Sequence, residues 1–229
     1  MNIDLTQSHD VLGAYKKIDF SDIKERYQDP GTKYCFEVLN GKKLAGYEIK
    51  LACFRHLRDL QRIGDNDFPY TYSIKETNNI LKFANVCPEM KTKKPVRLIS
   101  SQKFILSQLF GWRNENNDKR FTRAIVSMAR HNGKTYLTAI ITLYSYLIES
   151  LGESSQQFLV SSINFKQTSQ LMGYVKQMLI DLSQKPPFNA LINDLQINTK
   201  SLASQSDIII SPKTFNKILA ITYESGQYD

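Results

Sequence analysis

The chain has 229 residues, 41% hydrophobic and 23% charged, which is enough apolar surface to bury one sizeable core or two smaller ones and excludes a wholly disordered polymer. Its 30 basic and 22 acidic residues give a net charge of +8, which points to a polyanionic partner such as nucleic acid or nucleotide. The excess is local: residues 1–90 carry 13 basic and 13 acidic residues, whereas 91–134 carry 11 basic and 2 acidic ones.

The first residues, MNIDLTQSHD, have neither the basic start nor the apolar core of a signal peptide. No apolar run approaches the roughly 18 to 20 residues of a membrane span, so a cytosolic protein without a membrane partner is expected. Cys35, Cys53 and Cys87 include no CxxC pair and read as small apolar residues rather than a disulfide framework or zinc site. Cys53 and His56 share a helical face, but two ligands without a second pair read as packing.

Residues 41–63 place Leu44, Tyr47, Leu51, Phe54, Leu57 and Leu60 at helical spacing. After a break at 64–69, residues 73–86 form a second helical pattern with Ile74, Thr77, Ile80, Leu81 and Ala84 on its apolar stripe. Cys87-Pro88 and residues 91–95 read as a connection, so the predicted division is a helical segment at 1–90 and a different domain at 91–229. In the latter, 101–112 is a predicted helix, 121–127 a strand, 133–151 a long apolar helix and 157–161 a strand. A helix at 164–182 follows, opened by an Asn cap and closed by Pro186-Pro187, and short strands are expected at 207–211 and 217–222. Alternating strands and helices predict an α/β fold with mostly parallel strands.

The segment Ser127-Met128-Ala129-Arg130-His131-Asn132-Gly133-Lys134-Thr135 joins a predicted strand to an apolar helix. Phosphate binding needs backbone N–H groups at a helix N-terminus, a lysine for the β- and γ-phosphates and a hydroxyl for Mg²⁺. Gly133, Lys134 and Thr135 supply those types in that order. Gly41-Lys42 is followed by Lys43 and lacks the hydroxyl. The usual G-x-x-x-x-G-K-[ST] pattern has glycine where this chain has Met128. Arg130 could stabilise charge on a transferring phosphoryl group, or be a surface arginine. Gln102 has an amide that matches the N6/N7 edge of adenine, or serves as an ordinary cap.

LISSQKFILSQLFGW (98–112), RFTRAIVSMARHNGKTYLTAII (120–141) and SSINFKQTSQLMGYV (161–175) resemble the large terminase subunit of tailed bacteriophages, in the branch grouped with HK97-like phages. The resemblance covers residues 35–229, and A-R-x-N-G-K-[ST] without a leading glycine is its most specific element. It implies an ASCE-type P-loop NTPase core, incomplete at its C-terminal end and preceded by the helical segment. Lys134 would then bind the β- and γ-phosphates, Thr135 would coordinate Mg²⁺, and the backbone of Ala129, Arg130, His131, Asn132 and Gly133 would cradle the phosphates. Arg130 would act in cis on the γ-phosphate and Gln102 would read adenine. The implied cofactors are ATP and Mg²⁺. Double-stranded DNA, the small terminase subunit and the portal are the implied partners, with oligomerisation expected through an open sheet edge and the host cytoplasm as the site of action.

An acidic pair at the end of an apolar strand, needed to hold the Mg²⁺ shell and orient water, is missing: none of Glu149, Glu153, Asp181, Asp194, Asp207, Glu224 and Asp229 follows four apolar residues. The expectation is an N-terminal ATPase fragment that binds nucleotide and hydrolyses it poorly, without the family's nuclease domain. A superfamily 2 helicase-like ATPase or nucleotide kinase, and a non-catalytic DNA-binding or subunit-interaction module, remain open alternatives. Lys91, Lys93, Lys94, Arg97, Lys119, Arg120 and Arg123 are candidates for a DNA track or a neighbouring subunit.

Overall fold

The computed structural model describes residues 10–222 apart from 91, 96, 163 and 203–207. The chain divides into two compact units, Met1–Lys82 with Leu98–Val126, and Phe83–Arg97 with Ser127–Asp229.

In the first unit, α1 (Val11–Lys16) and α2 (Ser21–Arg26) lead into α3 (Pro30–Leu39) and α4 (Tyr47–Gln61). Helix α3 starts at Pro30 because a first-turn proline forfeits no bond, and the Asp29 carboxylate accepts from the amides of Gly31 (2.9 Å) and Thr32 (3.1 Å). Tyr34, Cys35, Val38 and Leu39 of α3 and Cys53, Phe54, Leu57 and Leu60 of α4 belong to one buried cluster. The predicted helix at 41–63 begins later than its apolar pattern suggests. The amides of Lys42 and Lys43 both return to the Glu37 carbonyl, reversing the chain, and Leu44 is left fully exposed before Gly46 starts α4.

Helix α5 (Ile74–Val86) carries the division after Lys82, and α6 (Ser100–Gly111) returns to the first unit. A Cβ on Gly31 would lie 2.6 Å from the Ser107 side chain, so the close approach of α3 to α6 requires glycine there. Strands β1 (Tyr70–Tyr72) and β2 (Trp112–Asn114) pair antiparallel, Tyr72 opposite Trp112. Residues 121–127, predicted as a strand, form none. A strand needs a neighbour for its backbone bonds; among the described residues neither sheet accepts this segment, and Ile125 is 100% exposed.

After Ser127 the second unit continues with α7 (Lys134–Tyr144), whose Leu137, Ile140 and Leu143 are buried at helical spacing. The predicted helix at 133–151 does not stay α-helical: Ser145–Glu149 widens into a π turn, with the Ser150 amide bonded to the Ser145 carbonyl. Tertiary bonds hold that turn, since Asn216 Nδ2 donates to Ser150 Oγ (3.2 Å) and to the Glu153 carbonyl (3.1 Å). Strand β3 (Gln157–Ser162) is followed by α8 (Phe165–Leu182), capped by the Asn164 side chain on the Gln167 amide at 3.1 Å. The short α9 (Phe188–Asp194) follows Pro187, which the sequence reading took only as a stop. Strands β4 (Ile208–Ile210) and β5 (Lys217–Thr222) complete a sheet of order β3-β5-β4, with β5 parallel to β3 and antiparallel to β4. Asp207 lies outside the described residues. Helix α8 packs on β3 and β5, and α7 packs on α8.

Candidate nucleotide site

The loop before α7 has no apolar anchor of its own: Ala129, Arg130, His131 and Asn132 are exposed, and Met128 and Gly133 are half-buried. His131 (φ 65°) and Gly133 (φ 76°) both adopt left-handed backbone, with Asn132 between them. Turns of this kind let a backbone offer a concave row of N–H groups to an anion. Gly133 is the N-cap of α7 and no side chain caps the helix, which leaves its positive end without a competing carboxylate or hydroxyl.

Lys134 Nζ donates to the Met128 carbonyl oxygen at 2.7 Å, reaching back across the loop. An ammonium has three donors, so one bond to the loop fixes its position and leaves two for phosphate oxygens. The group the lysine uses at position 128 is a backbone carbonyl, which methionine supplies as well as glycine would. Asn132 Nδ2 makes a longer bond to the Ala129 carbonyl, 3.4 Å. Thr135 lies half-buried in the first turn of α7, beside Lys134. Arg130 and Lys134 form no ion pair among the described residues, so the loop's charge is uncompensated.

Gln102 belongs to the other unit, as the third residue of α6. It is 8% exposed, and its Oε1 accepts from the Ile99 amide at 3.1 Å, which is a helix-capping bond. The structure thus brings together residues 128–135 and places Gln102 on a separate element. Three of the acidic candidates are engaged elsewhere, Glu149 accepting from Ser145 Oγ (2.7 Å), Asp181 from Gln177 and Lys93, and Asp194 from Lys213, while Glu153 is exposed. Glu224 and Asp229 lie outside the described residues, as does Lys91. Among the other basic candidates, Lys94, Arg97 and Arg123 are exposed, and Lys119 lies 4.3 Å from the Phe110 ring centroid. Arg120 is not a free surface cation: its side chain is 16% exposed and paired with Asp59 at 2.8 Å.

A buried polar chain in the first unit escaped the sequence reading. Trp112 Nε1, which can only donate, lies 3.1 Å from His56 Nδ1; that nitrogen is therefore the acceptor, and Nε2 carries the proton. Nε2–H donates to Thr32 Oγ1 (3.0 Å), whose own proton goes to Asp29 Oδ2 (2.6 Å). Burial is the main cause that lowers the His56 pKa to about 4; Asp29 opposes the shift and Arg55 and Arg120 reinforce it. Both ring nitrogens are engaged, so His56 has no lone pair for a metal. The signal available in sequence was only a histidine on the apolar face of α4.

The family model for the terminase large subunit, ATPase domain, matches residues 100–214, from the first residue of α6 to the turn before β5. That is 115 of the 229 residues. The chain belongs to the terminase large-subunit family. The mixed α/β architecture, with small sheets, is compatible with a terminase ATPase domain, and the matched span contains the whole of the Met128–Thr135 loop. No curated protein and no solved structure matches the chain. ATP hydrolysis is the activity of terminase ATPase domains, and ATP and Mg²⁺ are their usual nucleotide and metal. No helix among the described residues is long and apolar enough to cross a membrane.

Proposed function

We propose that this chain binds ATP with Mg²⁺ at Met128–Thr135, as the phosphate-binding loop of an ASCE-type P-loop core from a phage DNA-packaging motor of the HK97-like branch. The observation that carries the reading is the Lys134 bond to the Met128 carbonyl across an uncapped helix N-terminus, which holds an ammonium where an anion would dock. Lys134 would take the β- and γ-phosphates, the Ala129–Gly133 backbone the phosphate oxygens and Arg130 the γ-phosphate. Thr135 offers Mg²⁺ a hydroxyl beside the lysine; the bound ion neutralises phosphate charge. DNA, the small terminase subunit and the portal are the partners of this role, in the cytoplasm of the host.

Hydrolysis also needs a carboxylate that orients the attacking water. Glu149, Asp181 and Asp194 are bonded elsewhere, and neither Glu153, which follows Leu151-Gly152, nor Glu224 ends an apolar strand beside a second acid. The reading is therefore nucleotide binding with slow turnover by this chain. A ligand held at a hundred times its dissociation constant stabilises a fold by about 2.7 kcal/mol. Mg-ATP should raise the melting temperature of the wild type and not that of Lys134→Ala. Phosphate release at a motor-like rate, abolished by Lys134→Ala, would overturn the slow-turnover part, and equal melting shifts in the two proteins would overturn the binding part.

A further inference from the structure

The chain holds two Asn-Gly pairs, Asn40-Gly41 and Asn132-Gly133. Such a pair can deamidate, because a glycine nitrogen has no Cβ beside it and can swing onto the preceding asparagine's side-chain carbon Cγ. The two pairs are matched in exposure and in backbone: both asparagines are exposed, and the glycines take left-handed conformations at φ 73° and 76°. They differ in how the reacting groups are held. The Gly41 amide donates to the Val38 carbonyl (3.1 Å), and Tyr15 Oη donates to Asn40 Oδ1 (3.3 Å), so the end of α3 restrains both nucleophile and electrophile. Gly133 is the N-cap of α7, outside the helical ladder, and its N–H has no acceptor among the described residues. Asn132 Nδ2 reaches the Ala129 carbonyl at 3.4 Å, beyond the usual N–H···O range.

We propose that Asn132 is the chain's site of spontaneous deamidation and that its conversion silences the nucleotide loop; the silencing rests on the function proposed above. The Gly133 nitrogen gives its proton to hydroxide and bonds to Asn132 Cγ. The Cγ–Nδ2 bond breaks, the nitrogen leaves with an added proton as ammonia, and a succinimide ring closes. Water then adds to either ring carbonyl. Opening at Cγ restores the ordinary backbone with aspartate at 132. Opening at the main-chain carbonyl leaves isoaspartate, with the backbone running through the former side chain and lengthened by a methylene. No oxidant or reductant takes part. Either product places a carboxylate two residues from Lys134, where it competes with phosphate for the ammonium and repels the anion. Isoaspartate also displaces the Gly133 and Lys134 amides from the concave row that an anion would meet.

The test is peptide mass mapping of the full chain during warm incubation at mildly alkaline pH, where exchange of an amide for an acid raises the mass of the peptide that holds it. The contacts at Asn40-Gly41 must break before attack, so Asn132 should convert roughly ten-fold faster than Asn40 or more. In parallel, Mg-ATP is titrated into wild type, Asn132→Gln and Asn40→Gln, each aged sample against its own fresh one. Binding capacity should fall with the converted fraction at position 132 in wild type and Asn40→Gln. Asn132→Gln should keep the capacity it had when fresh, because glutamine must close a larger ring and does so far more slowly. Fresh Asn132→Asp, which is the ordinary-backbone product, should bind roughly ten-fold more weakly than wild type. Melting curves verify that every sample is folded. Conversion at Asn40 as fast as at Asn132, or none at Asn132, would overturn the assigned site. Full conversion with unchanged binding would overturn the silencing. A fresh wild type that binds no Mg-ATP would overturn the function proposed above and the silencing with it, and the mass map would still decide the site.

Discussion

At residue scale, the candidate site depends on backbone that side chains resist. Gly133 sits at φ 76°, where a β-branched side chain is strained by about 1 to 3 kcal/mol. Gly133→Val should therefore weaken Mg-ATP binding, whereas His131→Gly, which relieves the same strain at φ 65°, should leave the loop intact; a titration of each variant checks the pair. His56 predicts a pH dependence. Because its folded pKa is about 4 against an ordinary 6.5, the unfolded chain takes up a proton that the folded chain refuses as pH falls. Stability from this group is complete above about pH 6.5 and is lost progressively toward pH 4. Between pH 7 and pH 5 the loss should be about 2 kcal/mol in urea denaturation, and that component should vanish in His56→Asn. Neither the tautomer nor the carbonyl under Lys134 could be read from sequence. The first depends on Asp29, Thr32 and Trp112, brought to His56 from distant positions, and the second on a backbone atom that every residue possesses.

At the scale of elements, the amphipathic patterns of α4 and α5 were legible because one apolar stripe is enough to specify a helix with a buried face. Segment 121–127 shows the limit. Its composition records a preference for strand, but a strand exists only with a partner, and pairing is not written in local sequence. The π turn at Ser145–Glu149 is likewise set by Asn216, nearly seventy positions away. The charge pattern misled at Arg120, which looked like one more surface cation of the basic segment. Its amide bonds the Trp112 carbonyl (3.1 Å) and its side chain pairs with Asp59, tying the segment after β2 to α4. Arg120→Ala should destabilise the first unit by about 3 to 5 kcal/mol, because it strands a buried carboxylate. Arg120→Met with Asp59→Leu should cost less than that single substitution. Urea denaturation of the two variants distinguishes a structural pair from a dispensable surface contact, for which both would match the wild type.

At the scale of the whole molecule, the positive charge counted in the sequence separates into distinct tasks. Arg130 and Lys134 form no ion pair among the described residues, Arg120 is paired with Asp59 inside the first unit, and Arg62, from a stretch whose charges balance, is paired with Asp67. The loop was legible as a motif, since Gly133-Lys134-Thr135 is contiguous and the chemistry proposed for it follows from residue type. In the proposed role, Lys134 completes a phosphate-binding loop. Calorimetric titration with Mg-ATP should show saturable one-to-one binding by the wild type and at least a ten-fold weaker constant for Lys134→Ala, about 1.4 kcal/mol or more. Equal affinities in two folded proteins, or no binding by the wild type, would contradict it.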